Sequence, residues 1–569
     1  MPRVWSIWSI ARRASGRVRQ RGFSTVEVLL AATVFGMLVT AVSGAMVYGR
    51  VSNADAGETN RAHYLAEEGV EAIRNIRDVS YASLPASGDW GLQKSAGVWT
   101  LAGTSDSNGI FSRKATFTTV DTTHKDVVVT VSWNNGAVAN QVTATARFVN
   151  WKAALVTGPI MMAYSKTTTT PFYRTWNGSA WSAEGSATAG TGNINYIVLK
   201  SSRTRNEAVL GTQTSTGAIY FQAWNGTSWG PATQVGTGST TTRSFDIAYE
   251  KNSDEAIIAY APTAVSNDFA YRTWDGTNLS GATTITTPNT GATSWIELRQ
   301  NPLITSNDVA MIMLDATADV YGMMWSGSAW GNMGVATVWD NTAATATKKT
   351  IDVEYEQLSG EAMFIWGDSL ATDQAYRTWN GTTLAGALNL DITTQGGITE
   401  WIQLAARPNS DEIMFGAQDA GSDLNTRKWS GTGWDTVTQH PEHAATVESI
   451  ASRNFDIVWE THASNPGEAW LLFGNGSTVT QRQWSAGAWG TASTMSGSDD
   501  TSFIRLRADP ISGAVFEGVY QNVNSAAGAR DIGERRLTGG SATWTAKSVI
   551  WGGSTTADPV FFRIDIATP

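Results

Sequence analysis

Residues 245–276, FDIAYEKNSDEAIIAYAPTAVSNDFAYRTWDG, decide the fold of most of this chain. The segment alternates apolar runs with polar turns: FDIAYE, the turn KNSD, EAIIAY, and a third run that ends in AYRTWDG. Short runs rich in aromatic and β-branched residues, separated by Asn, Asp, Ser and Gly, predict antiparallel strands joined by tight turns. With the short run that follows, the pattern predicts four strands in about 50 residues.

A motif close to W-x-G-x-x-W marks the same point of each repeat. It begins at Trp176, Trp224, Trp274, Trp325, Trp379, Trp429 and Trp484 and, in degenerate form, at Leu537. Four strands in each repeat of about 50 residues predict one blade of a β-propeller. A parallel β-helix would repeat over a shorter length and a string of sandwiches over a longer one.

The two ends of the repeat array predict a closed ring. Only two strand candidates, IMMAY and PFYRTW, precede the first motif, so its blade lacks an innermost strand. The C-terminal FFRIDIATP matches SFDIAYE, with residues 565–567 against 246–248, and supplies that strand. We therefore expect an all-β propeller of eight blades over residues 156–569, with seven blades as the alternative.

Features that recur in alternate blades define a larger repeat of two blades. Arg stands two residues before the motif Trp at Arg174 and Trp176, Arg272 and Trp274, Arg377 and Trp379, and Arg482 and Trp484. The same blades carry first-strand acids at Asp246, Asp352, Asp456 and Asp565, and a Glu four residues on at Glu250, Glu356 and Glu460. The other blades begin with Tyr196, Trp295, Trp401 and Phe503. This pattern predicts a pseudo-fourfold disc with four Asp near its axis.

Two interpretations of these residues are open. In the first, Trp packs between blades, Gly allows the positive φ of the turn, and Asp pairs with Arg within a sheet. In the second, grooves between blades bind a sugar, whose C–H face packs on an aromatic ring while charged groups hold its hydroxyls. The repeats distantly resemble those of fucose-binding or tectonin-type propeller lectins, which implies multivalent binding.

An enzyme is the competing class, because sialidases and several glycoside hydrolases are propellers. Asp352, Asp456 or Glu356 would then act as acid or base. The S-x-D-x-G-x-x-W box typical of sialidases is missing from the sequence, and the acidic residues recur symmetrically instead of forming one singular site. The sequence therefore favours a binding protein without catalytic residues.

Residues 21–50, RGFSTVEVLLAATVFGMLVTAVSGAMVYGR, predict a membrane-spanning helix. No charged residue lies between Val28 and Gly49, a run long enough to cross a hydrocarbon core of roughly 30 Å. Residues 1–22 carry six Arg and no acidic residue, which predicts that the N-terminus lies in the cytoplasm and the C-terminus outside. Glu27 stands at the start of the run, where an ionisable group usually has a partner.

Gly22, Phe23 and Glu27, followed by an apolar helix, closely resemble the leader junction of type IV pilins and pseudopilins. The resemblance implies that a prepilin peptidase removes residues 1–22 and that Phe23 becomes an N-methylated terminus. It also implies that Glu27 meets the terminal amine of a neighbouring pilin subunit. The long helix would then cover residues 23–80, with its transmembrane half at 28–49 in the cytoplasmic membrane before assembly.

A small sheet is predicted after this helix. Ala66, Val70, Ile73 and Ile76 recur at helical spacing, and FSRKATFTTVD, DVVVTVSWNN and QVTATARFVNW alternate as strands do. The Asn-Gly in WNNGAV predicts a hairpin turn. Together these patterns predict an α+β pilin-like module whose sheet region covers residues 81–155.

Composition limits the chemistry and the partners. The chain has no Cys, so the disulfide of many pilins is absent, and its net charge of −10 disfavours nucleic acid as a partner. His440 and His443 in QHPEH lack a third ligand, which is more typical of solvated surface than of a metal site. Asp499 and Asp500 are a weak calcium candidate. We expect no cofactor, with calcium as the alternative.

The sequence as a whole predicts a minor subunit of a type IV pilus-like filament at the cell surface. Its propeller would mediate adhesion by binding a glycan or a protein. A body of about 410 residues has a radius of gyration near ~22 Å, which would crowd a filament shaft and favours the tip. The alternatives are a pseudopilin of a type II secretion or DNA-uptake machine with a protein-docking propeller, and a membrane-tethered glycoside hydrolase.

Overall fold

The chain forms two compact units, Met1–Ala154 and Leu155–Pro569, in the computed structural model. The structure describes residues 24–79, 81–95, 97–120, 124–135, 138–149, 158–166, 168–369, 374–390, 392, 397–436, 440–444, 447, 453–462, 464–475, 478–495, 501–510, 512–523, 529–554 and 564–568. The leader, Gly22, Phe23, Asp499 and Asp500 lie outside these described residues.

The first unit begins with one long helix, α1, which spans Thr25–Val79. Its 55 residues correspond to a length of about 82 Å. Ser24 caps it: the Val26 N–H donates to Ser24 Oγ at 3.3 Å, and the Ser24 N–H donates to Glu27 Oε2 at 2.9 Å. This reciprocal arrangement is a capping box. Among the described residues, α1 is the one helix long and apolar enough to cross a membrane, and its apolar window is exposed.

The second half of α1 packs on a small antiparallel sheet. The strands are β1 Ser87–Trp90, β2 Leu92–Ser95, β3 Val98–Leu101, β4 Asp106–Asn108, β5 Phe111–Thr119, β6 His124–Asn135 and β7 Val138–Val149, preceded by a 3-10 turn at Tyr81–Ser83. The main sheet has the order β1-β5-β6-β7, with β4 on β5, and β2 pairs with β3. Ala66, Ile73 and Ile76 are buried against this sheet. A Cβ at Gly69 would lie 2.8 Å from Val129, so glycine permits the close approach of the helix.

The second unit is built from short strands. They are β8 Met161–Ser165, β9 Pro171–Thr175, β10 Gly185–Ser186, β11 Ile194–Ser201, β12 Ala208–Thr214, β13 Ala218–Trp224, β14 Thr233–Thr237, β15 Phe245–Tyr249, β16 Ala256–Tyr260, β17 Phe269–Trp274, β18 Thr283–Ile285, β19 Thr293–Gln300, β20 Val309–Asp315, β21 Val320–Trp325, β22 Trp330–Gly331, β23 Ile351–Tyr355, β24 Ala362–Gly367, β25 Gln374–Trp379, β26 Leu388–Leu390, β27 Thr399–Ala406, β28 Ile413–Asp419, β29 Leu424–Trp429, β30 Phe455–Trp459, β31 Ala469–Gly474, β32 Val479–Ser485, β33 Ala488–Trp489, β34 Ser493–Thr494, β35 Thr501–Ala508, β36 Val515–Val523, β37 Ala529–Leu537, β38 Ser548–Ser554 and β39 Ile564–Ala567.

Within the described residues these strands form eight antiparallel sheets. Sheet 1 has the order β10-β9-β8-β39, sheet 2 is β11-β12-β13-β14, sheet 3 is β15-β16-β17-β18, sheet 4 is β19-β20-β21-β22, sheet 5 is β23-β24-β25-β26, sheet 6 is β27-β28-β29, sheet 7 is β30-β31-β32-β33 with β34 on β32, and sheet 8 is β35-β36-β37-β38.

The innermost strands of successive sheets contact one another in a closed cycle. It runs through β39, β11, β15, β19, β23, β27, β30 and β35 and returns to β39. The C-terminal strand β39 belongs to sheet 1, because it pairs with β8 and sets Asp565 opposite Ala163. Antiparallel sheets arranged around a common axis, each entered by its inner strand, are the architecture of an all-β propeller.

One end of the axis carries a layer of aromatic side chains from alternate inner strands. Tyr196 lies edge-to-face on Trp295 at 6.1 Å, and Trp295 lies edge-to-face on Trp401 at 6.1 Å. Phe503 is the corresponding residue of β35 and is also buried. Because every second side chain of a strand points to the same face, residues two and four positions further along also line the axis.

Candidate ligand-binding groove

Each of the four recurrent Asp residues joins its own sheet to the next one, so they bridge every second junction of the eight sheets. One carboxylate oxygen accepts the N–H of the following residue, and the other accepts a backbone N–H from the next inner strand. The hydrogen bonds from the next inner strand join the Leu298 N–H to Asp246 at 2.9 Å, the Leu404 N–H to Asp352 at 2.8 Å, the Leu506 N–H to Asp456 at 2.7 Å and the Leu199 N–H to Asp565 at 3.0 Å. All four carboxylates are buried. They accept backbone N–H groups at the edges of β11, β19, β27 and β35. Without these carboxylates the N–H groups would be buried and unpaired.

The cations that neutralise these carboxylates are not the Arg residues that precede the motif Trp. Arg243 lies 3.3 Å from Asp246, Lys349 lies 3.3 Å from Asp352, Arg453 lies 3.2 Å from Asp456, and Arg505 lies 2.7 Å from Asp565. Burial opposes the charged form of Asp565, but Arg505 and Arg507 outweigh it and lower the pKa of that carboxyl to about 2.

The interpretation that Asp pairs with the motif Arg is therefore wrong, and strand register explains why. Asp246 stands opposite Ala259, which stands opposite Tyr271, so these three side chains share one face of sheet 3. Arg272 emerges on the other face, because successive residues alternate. It donates to the Ser280 carbonyl at 3.3 Å.

The other three Arg residues of this set also contact groups other than the recurrent Asp. Arg174 donates to the Ile550 carbonyl at 3.3 Å, and the Arg377 guanidinium lies 5.4 Å from the centre of the Trp339 ring. Burial lowers the pKa of both Arg377 and Arg482. These contacts are packing and capping interactions within and between sheets.

The recurrent Glu residues hold tryptophans. Trp325 donates its indole N–H to Glu250 at 2.5 Å, Trp429 to Glu356 at 2.6 Å, and Trp470 to Glu460 at 2.6 Å. Burial raises the pKa of all three carboxyl groups. Asp352, Asp456 and Glu356, the acids weighed as catalytic groups, are thus all engaged in contacts that repeat around the ring.

Each W-x-G-x-x-W motif forms a hairpin whose two ends meet in a β-bridge. The bridges include Trp176 with Trp181, Trp224 with Trp229, Trp274 with Leu279, Trp379 with Leu384, and Leu537 with Trp544. The central glycine adopts a positive φ, +96° at Gly276. Trp224 and Trp274 also line a groove between two sheets.

The groove between sheets 2 and 3 is open, with a cavity volume of about 550 Å³. Trp274, Leu279, Trp224 and Pro231 provide its apolar walls. Arg205 and Glu207 provide its charge, from the turn between β11 and β12.

The charged side of this groove is held in place by hydrogen bonds. Arg205 lies 2.8 Å from Glu207 and 3.4 Å from Asp254, and its side chain is 31% exposed. Tyr249 donates its hydroxyl to Glu207 at 2.9 Å. Burial opposes the charge of Arg205, but these carboxylates raise the pKa of its guanidinium. The groove thus presents a fixed cation, a fixed carboxylate and an indole.

In two equivalent grooves a cation covers the motif Trp. The Lys428 ammonium lies 5.9 Å from the Trp484 ring centre, and the Arg536 guanidinium lies 4.5 Å from the Trp176 ring centre. Lys428 and Arg536 each directly precede the first residue of the motif in their own sheet. In sheet 2 the equivalent residue is Ala223. Ala223 has no charged group to place over Trp274, whose ring packs on Phe221 at 5.8 Å and also lines the open groove.

The repeat pattern points to Trp274 but to neither Arg205 nor Glu207. Ser306 and Ser410 stand where Arg205 would be, counted back from the start of the second strand, whereas Glu207 has acidic counterparts at Asp308 and Glu412. The signal was the charged run RTRNE at 203–207, which no other repeat shares.

His440 and His443 are buried, which corrects their interpretation as solvated surface. Thr426 Oγ1 lies 2.8 Å from His440 Nδ1 and 2.8 Å from His443 Nε2, and His440 Nε2 lies 2.6 Å from Asp435. Trp489 donates its indole N–H to Thr426 at 2.9 Å. Over the part of the chain that the structure describes, no group of three or more His, Asp or Glu side chains forms a metal site.

Solved structures of lectins align with part of the chain at low identity. No protein-family model and no curated protein sequence matches the chain. A lectin from Burkholderia pseudomallei aligns at 10% identity over 63% of this chain and 100% of its own, with a TM-score of 0.45. An Aleuria aurantia lectin variant in complex with α-methyl-L-fucoside aligns at 12% identity over 62% and 95%, with a TM-score of 0.36. The Aleuria aurantia lectin described as a six-bladed β-propeller aligns at 9% identity over 49% and 94%, with a TM-score of 0.31.

Proposed function

We propose that the groove between sheets 2 and 3 binds a carbohydrate. The observation that carries this proposal is that Trp274 lines a cavity of about 550 Å³ together with the Arg205 and Glu207 pair. A sugar ring packs its C–H face on an indole, while a guanidinium donates to its hydroxyls and a carboxylate accepts from them. Tyr249 and Asp254 orient the charged pair before any ligand arrives, which reduces the entropy cost of binding.

A binding role accounts for the acidic residues better than a catalytic one. A glycoside hydrolase of the usual kind needs two carboxyl groups that flank the scissile bond. Asp352 and Asp456 each accept two backbone N–H groups, and Glu356 accepts an indole N–H. Their oxygens are committed to the ring that holds the sheets together.

The binding unit is an eight-bladed propeller in this proposal, with the eight sheets as its blades and β39 closing the first of them. The first unit is a pilin-like module that carries it: a helix of 55 residues with an exposed apolar half and a small sheet against its other half. Glu27 lies at the start of the helix, where it is placed to meet the terminal amine of a neighbouring subunit. The protein is then a minor subunit of a type IV pilus-like filament, displayed at the tip for adhesion.

Glycan binding is tested with the full chain in detergent micelles on an array of immobilised glycans. We expect a defined set of glycans to be bound, and the Arg205→Ala variant to lose that set. An array without any bound glycan, or one unchanged by Arg205→Ala, contradicts the proposal.

The filament assignment has its own test. Mass spectrometry of the protein from its native membrane should find a chain that begins at an N-methylated Phe23. Labelling with an antibody against residues 155–569 should mark filament tips. An intact leader, or label that never coincides with a filament, overturns this part of the proposal and leaves the glycan result unaffected.

A further inference from the structure

The axial channel of the second unit opens at the end away from the aromatic layer. Beside Trp295 and Phe503 the free volume is about 30 Å³. Two larger cavities, of about 210 Å³ and 300 Å³, lie at the other end. The channel is therefore a pocket that narrows toward the aromatic layer.

Three cations separate the two larger cavities. Lys200, Arg299 and Arg507 are the residues that both cavities share. Each lies four residues after the aromatic residue of its inner strand, so the three stand at one level of the axis. The inner strand β27, which carries the aromatic residue Trp401, has Ala405 at this level, and Ala405 contributes to the wall of the larger cavity.

Few carboxylates reach this level. The corresponding residues of the other inner strands, two positions after each Asp, are Ala248, Glu354, Val458 and Ala567. Arg299 lies 3.2 Å from Glu354, 3.5 Å from Asp352 and 3.9 Å from Glu297, and Arg507 Nη2 lies 3.6 Å from Asp565. No hydrogen bond or ion pair of the Lys200 ammonium is found among the described residues. Glu354 is thus the one carboxylate of this level, while Arg299 and Arg507 also reach carboxylates of the layer beneath, and Lys200 has no such partner.

The layer beneath holds four cations and five carboxylates. Arg243 contacts Asp246 and Glu297, Lys349 contacts Glu297 and Asp352, Arg453 contacts Asp456, and Arg505 contacts Asp565. With Lys200, Arg299, Arg507 and Glu354 of the open end, the two layers together hold seven cations and six carboxylates. The surplus is one positive charge, and Lys200 at the open end is the cation that has no ion pair among the described residues.

We propose that this end of the channel binds an oxyanion, held by Lys200, Arg299 and Arg507. Carboxylate, phosphate and sulfate share the chemistry that three converging cations recognise. The anion is either free or carried by an acidic sugar, and a cavity of about 210 Å³ admits both. This site is separate from the groove at Trp274 and does not depend on the function proposed there.

Burial, together with the neighbouring Arg299 and Arg507, lowers the pKa of the Lys200 ammonium to about 8, although Asp246 and Asp565 oppose the shift. The other charged groups that line these cavities are Arg203, Glu250, Lys251, Asp254 and Glu354. A bound anion would favour the ammonium form, so affinity should fall as the pH rises past about 8.

The test is isothermal titration of the full chain in detergent micelles with sodium sulfate, sodium glucuronate and neutral glucose, at constant ionic strength and pH 7. We expect one site for an anion, and about tenfold weaker binding by Lys200→Gln, because a hydrogen bond to a charged group is lost. Lys200→Arg keeps the cation, so its affinity should persist at pH 9, where the native protein binds more weakly.

Lys348→Gln is the matched control: it removes a lysine of the same unit that is 20% exposed and lies outside the lining of both cavities. Its affinity for either anion should equal that of the native protein. Tighter binding of glucuronate than of sulfate identifies an acidic sugar, and the reverse identifies a free anion. Absence of binding by either anion, or equal affinity in Lys200→Gln and native protein, overturns the proposal.

Discussion

Replacing Asp456 by alanine tests the contact that repeats four times around the axis. Asp456 accepts the Ile457 N–H at 3.0 Å and the Leu506 N–H at 2.7 Å, and it lies 3.2 Å from Arg453 Nη2. Alanine leaves the Leu506 N–H on an inner strand without this acceptor, which costs roughly 1–3 kcal/mol. It also leaves the buried Arg453 without its nearest carboxylate, and breaking such a pair costs roughly 3–5 kcal/mol. Because the two effects share one side chain, we expect a loss of about 4 kcal/mol in the free energy of unfolding.

Guanidinium unfolding of the full chain in detergent, followed by near-ultraviolet circular dichroism, measures this loss. Asp246→Ala and Asp352→Ala should show a similar decrease, because their backbone contacts have the same geometry. Asp126→Ala is the control: its carboxylate is 43% exposed and pairs with Arg147 in the first unit, so the main transition should stay in place. A decrease below about 1 kcal/mol for Asp456→Ala would refute the structural role assigned to these carboxylates.

Three further changes are expected to alter stability. Burial, with Arg482 and His440 nearby, lowers the pKa of His443 well below 6.5, so the unfolded chain binds the proton at a higher pH than the folded chain does. The melting temperature should therefore fall between pH 7 and pH 5. An equally steep fall in His443→Gln would contradict this. The pKa of Asp565 is about 2, so its stabilisation is present above the unfolded value of about 3.9 and is lost as the pH falls toward 2. Acid titrations followed by circular dichroism should show that Asp565→Asn loses stability less steeply with falling pH than the native protein does. Identical curves would count against this role of the Asp565 carboxylate. Deleting residues 560–569 removes β39 and should unfold the second unit, whereas an unchanged calorimetric melt would show that the ring does not need this strand.

Much of the second unit could be predicted because its local signals repeat. The spacing of W-x-G-x-x-W fixes where the third strand ends, and the Asp-Ile-Ala match relates the tail to the inner strands. The pairing of Ile564–Ala567 with β8 agrees with that match. The helix α1 was expected to end near residue 80, and it ends at Val79, after the last apolar position of its buried face.

The partners of the recurrent residues could not be predicted, because they depend on three-dimensional neighbours. Whether Asp246 meets Arg272 or Leu298 depends on strand register and on the neighbouring sheet, and neither is encoded within one repeat. Arg205 could not be predicted from the repeats, because Ser306 and Ser410 stand at its position; Glu207 has acidic counterparts at Asp308 and Glu412, but its pairing with Arg205 depends on that one turn. Recurrence therefore indicates the contacts that hold the ring together and not a charged pair that involves Arg205.

The most direct measurement is the affinity of Trp274→Ala for the glycan that the native protein binds most tightly. Its matched control is Trp379→Ala, which removes a tryptophan of similar exposure at the same point of the repeat, where Ser306 replaces Arg205. Loss of the indole face should weaken binding at least tenfold, about 1.4 kcal/mol, while Trp379→Ala retains native affinity. Equal affinities of the two variants would contradict a sugar site in the groove between sheets 2 and 3.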